Sequence, residues 1–471
     1  MLVSLSEYAK SHDKSPDTIR RLAESGKLVT AKKIGRNWVV DQDEKYPVKK
    51  RSSKKQLSVL SLFSGCGGLD LGFEGGFATF REAVNTDMYP DWIDKEPHGW
   101  VTLPKTRFKT VFANDIRPDA EIAWSTYFKK NHNGASAKYV VDSIVDLVKA
   151  HKGGKKVFPN NVDVVTGGFP CQDFSVAGKR LGLYSDKCHN GIMSDAEVPC
   201  VENRGQLYMW MREVISITRP KIFIAENVKG LANLDDVKSI IEDDFRSIGD
   251  DGYLVVDARV LHAADYGVPQ NRERVIFIGF NKSFLNKRAL KELTSEIINL
   301  KYDPYPPATH SRSGGCRKLL PSTRLSQALS GLDEPHLSSD LAQQKYSKAK
   351  YLGRHLQGQS EVKIDGLGPT IRAEHHGNIE FRRLSRDNGG KIDEELDAGL
   401  EERRLTVREC ARIQTFPDDF DFVILPKEDK RSLSASNAYK LIGNAVPPLL
   451  GYHIAKRLEK NWDLYFKDEK R

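Results

Sequence analysis

Short apolar segments without polar alternation recur along most of the chain and constrain its fold more than any other feature. From Leu57 onward, LSVLSLF, FKTVFAND, VDVVTGG, KIFIAEN, YLVVDARVL and RVIFIGF alternate with stretches of helical spacing. An apolar strand without alternation is buried on both faces, and helices between such strands lead to a mainly parallel sheet covered on both sides. We therefore predict an α/β fold for the larger part of the chain.

The length and charge of the chain limit its organisation and its partners. At 471 residues it exceeds one ordinary hydrophobic core, so we expect two or three domains. Hydrophobic residues make up 39% and charged residues 29%, proportions typical of soluble globular proteins. The formal net charge of +9 favours a polyanionic partner such as nucleic acid, although many basic proteins bind none.

Six cysteines, none of them in a CxxC pair, do not make a disulfide framework in a chain of this length. Cys188, His189 and Cys200 stand near one another, but their spacing is a weak zinc signal, and we predict no metal site. No apolar run approaches membrane-spanning length, and the first residues lack the apolar core of a signal peptide. We therefore expect a cytoplasmic protein with no membrane contact.

Residues 1–46 have the pattern of a small separate unit. Two short helical segments precede two β-rich runs that a Gly-Arg-Asn turn joins, an order that resembles the winged helix-turn-helix of the excisionase and MerR-like group. The resemblance implies DNA contacts by five cations: Arg20, Arg21, Lys32, Lys33 and Arg36. The alternative is a structural or protein-binding module with a solvated basic face. Residues 47–56 include KKRSSKK and predict a flexible basic linker.

A glycine-rich turn follows the first apolar strand, in VLSLFSGCGGLDLGF. Gly65, Gly67 and Gly68 would permit a tight turn and a close approach of a ligand to main-chain amides. Later strand ends carry Asp115 and Asp142, and a carboxylate in such a place commonly binds ribose hydroxyls. Each feature alone has an ordinary explanation, a simple turn or a helix cap. Together, in this order, they favour an adenosyl cofactor.

The segment VDVVTGGFPCQDFSVAGKR places Cys171 just after a predicted strand. The carboxyl end of a parallel strand is where α/β folds bind ligands, and main-chain amides or nearby cations there can raise the thiolate fraction of a cysteine. The usual alternative is a buried, inert cysteine. The flanking Gly-Gly and Pro-Cys-Gln favour a nucleophile.

Two further segments carry polar groups suited to binding a nucleobase. PKIFIAENVKGL contains Glu226, which is either a helix cap or an acid that hydrogen-bonds an amidine-like edge such as N3 and N4 of cytosine. In YGVPQNRERVIFIGF, Gln270, Arg272 and Arg274 alternate into a strand. This spacing places Arg272 and Arg274 on one face, where they suit an anion or a carbonyl.

These segments, in this order, resemble the signature blocks of DNA (cytosine-5)-methyltransferases of the bacterial and phage type. GGFPCQDFSVAGK, AENVKGL and QNRERVIFIG are similar to the family's signature blocks, and SLFSGCGGLDLGF to its cofactor loop. RGQLYMWMREVI, RRLTVRECARIQTFPDDF and AYKLIGNAVPPLLGYHIA are similar to three further blocks. The resemblance covers about residues 57–462 and not the first 46. It implies a Rossmann-like methyltransferase core that uses S-adenosylmethionine.

The same resemblance implies a base-flipping mechanism on a specific duplex DNA sequence. Cys171 would add to C6 of a flipped-out cytosine while Glu226 holds its N3 and N4 edge. Arg274 would contact the base carbonyl, Arg272 would support the loop, and Gln270 would contact DNA. C5 would then take the methyl group of S-adenosylmethionine, which leaves S-adenosyl-L-homocysteine as the second product.

Ten residues would form the cofactor pocket. The glycine loop would pack around the methionine portion, Asp115 would bind the ribose, and Asp142 would bind the adenine amino group. The full set is Phe63, Gly65, Gly67, Gly68, Asp115, Ile116, Asp142, Pro170, Leu207 and Asn444. Ile116 departs from the family, because many relatives have an aromatic ring there over the adenine.

The catalytic core is assigned to residues 57–280 and 403–471. Residues 281–402, which are rich in Gly, Pro, Ser, His and charge, are expected to form an inserted target-recognition domain. Within this domain, three residues are candidate base or phosphate readers: Arg372, His375 and His376. Two segments of the core, 79–108 and 183–203, are longer than in the family, and each is either a DNA contact or a packing patch.

Two other functions compete with this prediction. A tRNA cytosine-5-methyltransferase of the same architecture would carry a Cys-Phe-Thr block and a compact recognition region, and neither is present. A catalytically silent DNA-binding regulator would lack a catalytic residue, whereas all four are present. The expected partners are double-stranded DNA and, in restriction–modification or self-protection, a cognate endonuclease. We expect a monomer on the target site.

Overall fold

A computed structural model of the chain describes residues 2–11, 15–24, 28, 30–35, 37–44, 55–96, 99–131, 137–170, 207–232, 237–313, 318–373, 379–426 and 431–467. The chain divides into two compact units, Met1–Lys55 and Gln56–Arg471. In the part of the chain that is described, no helix has both the length and the apolar character needed to cross a membrane.

The first unit packs two helices on a small antiparallel sheet. Its elements are β1 (Leu2–Ser4), α1 (Leu5–Ser11), α2 (Pro16–Glu24), β2 (Lys32–Ile34) and β3 (Asn37–Asp41). The strand order is β1-β3-β2, and Tyr8, Ile19 and Val40 are fully or almost fully buried between the layers. Both helices and the β2–β3 hairpin lie where the sequence predicts them. Strand β1 was not predicted, since three residues before a helix carry too short a pattern.

A sheet of seven strands forms the centre of the second unit. The strands are β4 (Leu57–Leu62), β7 (Phe108–Asp115), β8 (Lys138–Val141), β9 (Val164–Gly168), β10 (Ile222–Val228), β11 (Tyr253–His262) and β12 (Glu273–Asn281). Their order is β11-β12-β10-β9-β4-β7-β8. The five strands from β10 to β8 are parallel, as predicted. β12 is antiparallel to both neighbours, because the short connection from β11 leaves no room for a helical crossover.

Helices cover both faces of this sheet. Along β10, Ile222 and Ile224 pack into one hydrophobic cluster and Phe223 and Ala225 into the other, which explains the apolar run without alternation. The helices of the core are α3 (Gly68–Glu74), α4 (Pro118–Asn131), α5 (Ile144–Lys152), α6 (Leu207–Thr218), α7 (Lys229–Ala232), α8 (Val237–Arg246), α9 (Lys287–Leu293), α13 (Val407–Ile413), α14 (Ala435–Asn444) and α15 (Pro448–Tyr465). Among the described residues of the core, 3-10 turns also occur at Arg81–Ala83 and Ala263–Tyr266.

In its described residues, the segment 281–402 beyond α9 has short elements joined by long loops. They are β13 (His310–Ser311), β14 (Leu320–Pro321), α10 (Leu325–Ala328), α11 (Leu341–Gln344), β15 (Phe381–Arg383) and α12 (Asp393–Asp397), and β15 pairs with β16 (Arg403–Arg404). Tyr302, Leu325 and Ile371 belong to the same hydrophobic cluster as the central sheet. The described part of this segment therefore shares the core of the second unit, and its assignment as an inserted domain remains a prediction.

The long segment 79–108 packs on the core through its tryptophans. Strands β5 (Ala78–Phe80) and β6 (Trp100–Thr102) form an antiparallel hairpin. Trp92 is 4% exposed and stacks on Tyr89, with ring centroids 4.2 Å apart. It also packs edge-on against Tyr452 and His453 of α15. Of the two explanations left open by the sequence, the structure supports packing for this part of the segment.

Candidate active site

The parallel strands bring their carboxyl ends to one edge of the sheet, and the candidate residues follow those ends. In α/β sheets this edge is where ligands bind. The loop after β4 carries the glycines, β7 ends at Asp115, and Asp142 follows β8. β9 leads into Pro170, and Glu226 lies near the end of β10. The fold therefore gathers residues that are far apart in the sequence.

The glycine loop has the conformation expected of a tight turn, and hydrogen bonds with residues of β7 and β8 hold it in place. Gly65 has φ +54°, and Phe63 has φ +51°, a left-handed conformation that is uncommon for a residue with a side chain. The Gly65 amide donates to Asp115 Oδ2 at 2.9 Å, and the hydroxyl of Tyr139 donates to the Gly65 carbonyl at 2.9 Å. The sequence analysis missed Tyr139, although it stands on β8 three residues before Asp142.

Two glycines of the loop are required by close packing. A Cβ at Gly67 would lie 2.5 Å from Trp124 Cδ1, and one at Gly68 would lie 2.3 Å from the carbonyl oxygen of Val446. The turn after α14 therefore lies against the start of α3. This contact brings Asn444, an exposed residue at the end of α14, to the vicinity of the loop.

The remaining cofactor candidates differ in their accessibility. Ile116 is 43% exposed and Asp142 is exposed, whereas Leu207 is buried at the start of α6. Both Asp115 oxygens accept main-chain amides, from Gly65 and from Arg117, so this carboxylate also shapes the loop. A Cβ at Gly65 would meet no atom within 4 Å. Open space beside a held main-chain turn, with acids on the adjacent strand ends, fits an adenosyl ligand.

A buried acid, Asp70, lies behind the loop on α3. It is 1% exposed, and the Trp124 indole donates to its Oδ2 at 2.7 Å. Burial, helped by the nearby charge of Glu74, raises the pKa of Asp70 to about 7, although the hydrogen bonds with Ser61 and Trp124 act in the opposite direction. The carboxyl is therefore protonated in the folded protein well above the pH at which an aspartate normally ionises.

Glu226 and Arg274 form an ion pair next to the end of β9. Arg274 Nε lies 2.7 Å from Glu226 Oε1, and both side chains are largely buried. Glu226 is directly opposite Gly168 in the parallel pairing of β10 with β9, and its Oε2 lies 2.8 Å from where a Gly168 Cβ would be. Burial raises the pKa of Glu226, while the charges of Arg274 and Arg272 act in the opposite direction.

Arg272 has a different role from Arg274 in the structure. Its guanidinium is buried and donates to three main-chain carbonyls, those of Ile371, Gly443 and Ala445, at 3.0, 2.9 and 2.8 Å. It precedes β12, whereas Arg274 lies within the strand and reaches the acid. The expectation that both arginines face one anion or carbonyl is therefore wrong for Arg272. The expectation that it supports the loop agrees with these contacts.

The predicted DNA contact by Gln270 is wrong, because the structure buries this side chain. Gln270 is 0% exposed, its amide donates to the Ile413 carbonyl at 3.3 Å and to the side chain of Gln414, and its oxygen accepts the Ile371 amide at 3.2 Å. A side chain with these partners holds segments together and does not face a duplex. Sequence alternation cannot distinguish a buried polar side chain from an exposed one.

Several candidates lie outside the described residues: Cys171, Arg36, His375, His376 and the weak zinc set Cys188, His189 and Cys200. Arg372 is described, with a side chain that is 36% exposed and paired with Glu380 at 3.4 Å. In the first unit, the other four predicted cations are exposed: Arg20, Arg21, Lys32 and Lys33. Arg20 pairs with Glu24 at 3.1 Å.

Comparison with known proteins agrees with this arrangement. The family model described as C-5 cytosine-specific DNA methylase matches residues 57–460. The Type II methyltransferase M.BsuRI of Bacillus subtilis is 31% identical over 427 residues, which cover 87% of this chain and 81% of that protein. M.BspRI of Lysinibacillus sphaericus is 32% identical, with 88% and 84% covered. The solved structure of the Entamoeba histolytica methyltransferase EhMeth has a TM-score of 0.50 and 16% identity, covers 87% of this chain and 100% of that chain, and supports the fold alone.

The chain therefore belongs to the C-5 cytosine-specific DNA methylase family and is a DNA (cytosine-5)-methyltransferase. The match begins at the first strand of the central sheet and ends within α15. It leaves the first unit without an assigned function.

Gly168→Ala tests the position of Glu226. The added Cβ would displace a carboxylate that Arg274 holds, so methyl transfer should fall about tenfold to a hundredfold while the protein remains folded. Radiolabelled methyl incorporation into DNA and thermal unfolding measure both effects. Gly167→Ala is the matched control, because the nearest atom to its Cβ would be the sulfur of the flexible Met211 side chain at 3.0 Å, and Leu62 Cβ would lie at 3.4 Å, an ordinary contact distance. Equal activity of Gly168→Ala and wild type would show that the Glu226 position is unimportant.

Asp70→Asn tests the buried acid. A carboxyl whose pKa is raised to about 7 by folding stabilises the protein most below pH 4, and this stabilisation is lost as the pH rises through 7. Asparagine cannot ionise and retains an acceptor for Trp124. The variant should therefore gain stability relative to wild type between pH 5 and pH 8, measured by denaturant unfolding. Asp91→Asn, at an exposed position, is the control. An unchanged difference at the two pH values would contradict the prediction.

Proposed function

We propose that this enzyme transfers the methyl group of S-adenosylmethionine to C5 of a flipped-out cytosine in a specific duplex DNA sequence, with Cys171 as the nucleophile. The observation that carries the proposal is the Glu226–Arg274 pair beside the strand end that leads into Cys171. Cys171 follows Gly168 by three residues, and consecutive Cα atoms are about 3.8 Å apart. The proposed nucleophile is therefore close along the chain to the strand end that pairs with Glu226.

The protein groups supply the activation that cytosine C5 lacks. Addition of the Cys171 thiolate to C6 moves the electrons of the C5–C6 double bond toward C5, which then attacks the donor methyl group. Glu226 holds the N3 and N4 edge while negative charge develops in the ring, and Arg274 binds the base carbonyl. Loss of the C5 proton to a base or water then expels the thiolate and restores the aromatic ring.

S-Adenosylmethionine, when bound, supplies an electrophilic methyl group on a sulfonium. The protein side of its site is the loop from Phe63 to Gly68, with Asp115 and Asp142 on the adjacent strand ends and with Pro170, Leu207 and Asn444 around them. The support for this assignment is the open space at Gly65 and the contact of the 444–446 turn with α3. Ile116 would cover the adenine in place of an aromatic ring.

The biological setting follows from the relatives. Both of those described above are Type II methyltransferases, which supports a role in restriction–modification. A cognate endonuclease, monomeric action on the target site and residence in the cytoplasm remain predictions from the sequence. Sequencing of bisulfite-treated DNA from a methylation-free host that expresses this chain identifies the target sequence and the modified base.

Duplex DNA with 5-fluorocytosine at the mapped target should be trapped as a covalent adduct. Fluorine cannot leave C5 as a cation, so the elimination that frees the cysteine is blocked. A denaturing gel should show a shifted band that requires S-adenosylmethionine. Cys171→Ser is the matched control and should give no band and no methylation, because a hydroxyl is a far weaker nucleophile than a thiolate. Absence of the band with wild type, or turnover by the serine variant, would exclude Cys171 addition at C6.

We also propose that the first unit is an independent DNA reader. It has its own core of Tyr8, Ile19 and Val40 together with neighbouring apolar side chains. Its helix α2 and hairpin β2–β3 present Arg20, Arg21, Lys32 and Lys33 to solvent. Exposed cations on a helix and on a neighbouring hairpin suit the phosphates on the two sides of a groove.

Deletion of residues 1–50 should leave site-specific methylation largely unchanged. The full chain should bind DNA more tightly than the truncated chain at low salt, and the difference should shrink as salt rises. Lys32→Ala combined with Lys33→Ala should lose this difference, whereas Glu24→Ala should keep it. Loss of sequence specificity on deletion would make the unit part of target recognition. Equal DNA affinity of the two chains would make it a protein-interaction module.

A further inference from the structure

The glycine loop after β4 has one open side and one packed side. On the open side, a Cβ added at Gly65 would meet no atom within 4 Å, which leaves room for a ligand. On the packed side, a Cβ added at Gly67 would lie 2.5 Å from Trp124 Cδ1 and 2.8 Å from Phe128 Cε2. The main chain at Gly67 therefore rests directly on two aromatic rings of α4, which stack with their centroids 4.3 Å apart.

The orientation of the Trp124 ring is fixed by contacts on several sides. Its indole Nε1 donates to Asp70 Oδ2 at 2.7 Å, and the residue is 0% exposed. Phe128 stacks on the ring, and Tyr139 packs against it at a tilt, with the two centroids 5.4 Å apart. Loss of the acceptor would leave a buried N–H group without a partner, which is costly. The hydrogen bond to Asp70 therefore favours one position of the ring.

The same group of side chains reaches both ends of the loop. Asp70 lies in the first turn of α3, which begins at Gly68, so its bond with Trp124 ties the end of the loop to α4. Tyr139 of β8 donates from its hydroxyl to the Gly65 carbonyl at 2.9 Å, and its ring packs on the same indole. A shift of the Trp124 ring would therefore displace the turn at its start and at its end.

The glycine content of the loop makes this support important for binding. Glycine loses more conformational freedom on ordering than any other residue, and the loop contains Gly65, Gly67 and Gly68. Such a turn keeps one conformation only when neighbouring groups hold it. A turn that is ordered before its ligand arrives binds more tightly, because less freedom is lost on binding.

We propose that Trp124 and Tyr139 are positioning residues for the methyl donor, which set its affinity by holding the glycine turn, while Asp70 orients the indole. They act on the donor through the main chain of the loop, so the expected effect is on cofactor affinity and not on the chemical step. The inference rests on the proposed function, since it concerns the S-adenosylmethionine site of that function.

The first test measures the dissociation constant of S-adenosylhomocysteine by titration calorimetry on the full chain without DNA. Trp124→Phe keeps an aromatic ring but loses the indole N–H, and should raise this constant about tenfold. Tyr139→Phe removes a single hydroxyl, a smaller change, and should raise the constant about threefold or more. Trp462→Phe is the matched control, because Trp462 is a buried tryptophan of α15 that packs on Phe108 and Phe466.

A second test separates the hydrogen bond from simple packing. Asp70→Leu removes the acceptor and should weaken cofactor binding as Trp124→Phe does, whereas Asp70→Asn keeps an acceptor and should restore binding. The double variant Asp70→Leu/Trp124→Phe should bind no more weakly than either single variant, because both changes break the same contact. With DNA present, the KM for S-adenosylmethionine should rise with the dissociation constant, while kcat at saturating cofactor stays within about twofold.

The outcomes separate this inference from the function on which it rests. A wild type that binds neither S-adenosylmethionine nor S-adenosylhomocysteine would overturn the cofactor assignment itself. When wild type binds, equal cofactor affinity of Trp124→Phe, Tyr139→Phe and Trp462→Phe would overturn the inference and leave the indole as core packing alone. If Trp124→Phe does not fold, the comparison of Tyr139→Phe with Trp462→Phe decides. Weaker binding by Trp124→Phe, Tyr139→Phe and Asp70→Leu, with recovery in Asp70→Asn, supports the inference.

Discussion

The buried guanidinium of Arg272 donates to the carbonyls of Ile371, Gly443 and Ala445. It thereby joins three segments that are far apart in the sequence, namely its own, that of Ile371 and that of residues 443–445. A buried cation is stable only when its hydrogen bonds are satisfied, because its transfer from water is costly. The three segments must therefore be in place together. The segment of Ile371 leads to the predicted recognition residue Arg372, and the segment 443–445 leads into the turn that packs against the glycine loop. Arg272 itself precedes strand β12, which contains Arg274. A single buried side chain thus ties the strand of Arg274 to the segment of Arg372 and to the turn that packs against the glycine loop.

Much of the fold could be predicted from the sequence because its strands are buried on both faces. The apolar run IFIA of β10 serves two hydrophobic clusters, and such a run is distinguishable from a half-exposed strand. The meeting of Asp115 and Asp142 beside the glycine loop was predictable for a related reason, since parallel strands end at one edge. The ion pair of Glu226 with Arg274 could not be predicted from the sequence. It depends on the antiparallel direction of β12, which places Arg274 beside β10 and which the apolar pattern does not indicate.

The wrong predictions and the alternatives that the sequence left open concern side chains whose neighbours come from distant parts of the chain. Gln270 and Arg274 belong to one alternating motif, yet the first is enclosed by Gln414 and Ile371 and the second pairs with an acid. The sequence left open whether the segment of Trp92 contacts DNA or packs on the core. The contacts of Trp92 with α15, which lies more than 350 residues later, support packing. In both cases local spacing determines the direction of a side chain relative to its neighbours. It does not determine what covers that side chain.

The pairing of Gly168 with Glu226 has a consequence for how this enzyme can diverge. Four parallel pairs before it, from Ile222 opposite Val164 to Ala225 opposite Gly167, fix the register, and a shift by one residue would move every side chain to the other face. The residues after Pro170 continue from this strand end, so a change in their number does not alter the register of β9 with β10. Successive mutations can therefore change the number of residues after Pro170 while the pairing of Gly168 with Glu226 is inherited unchanged.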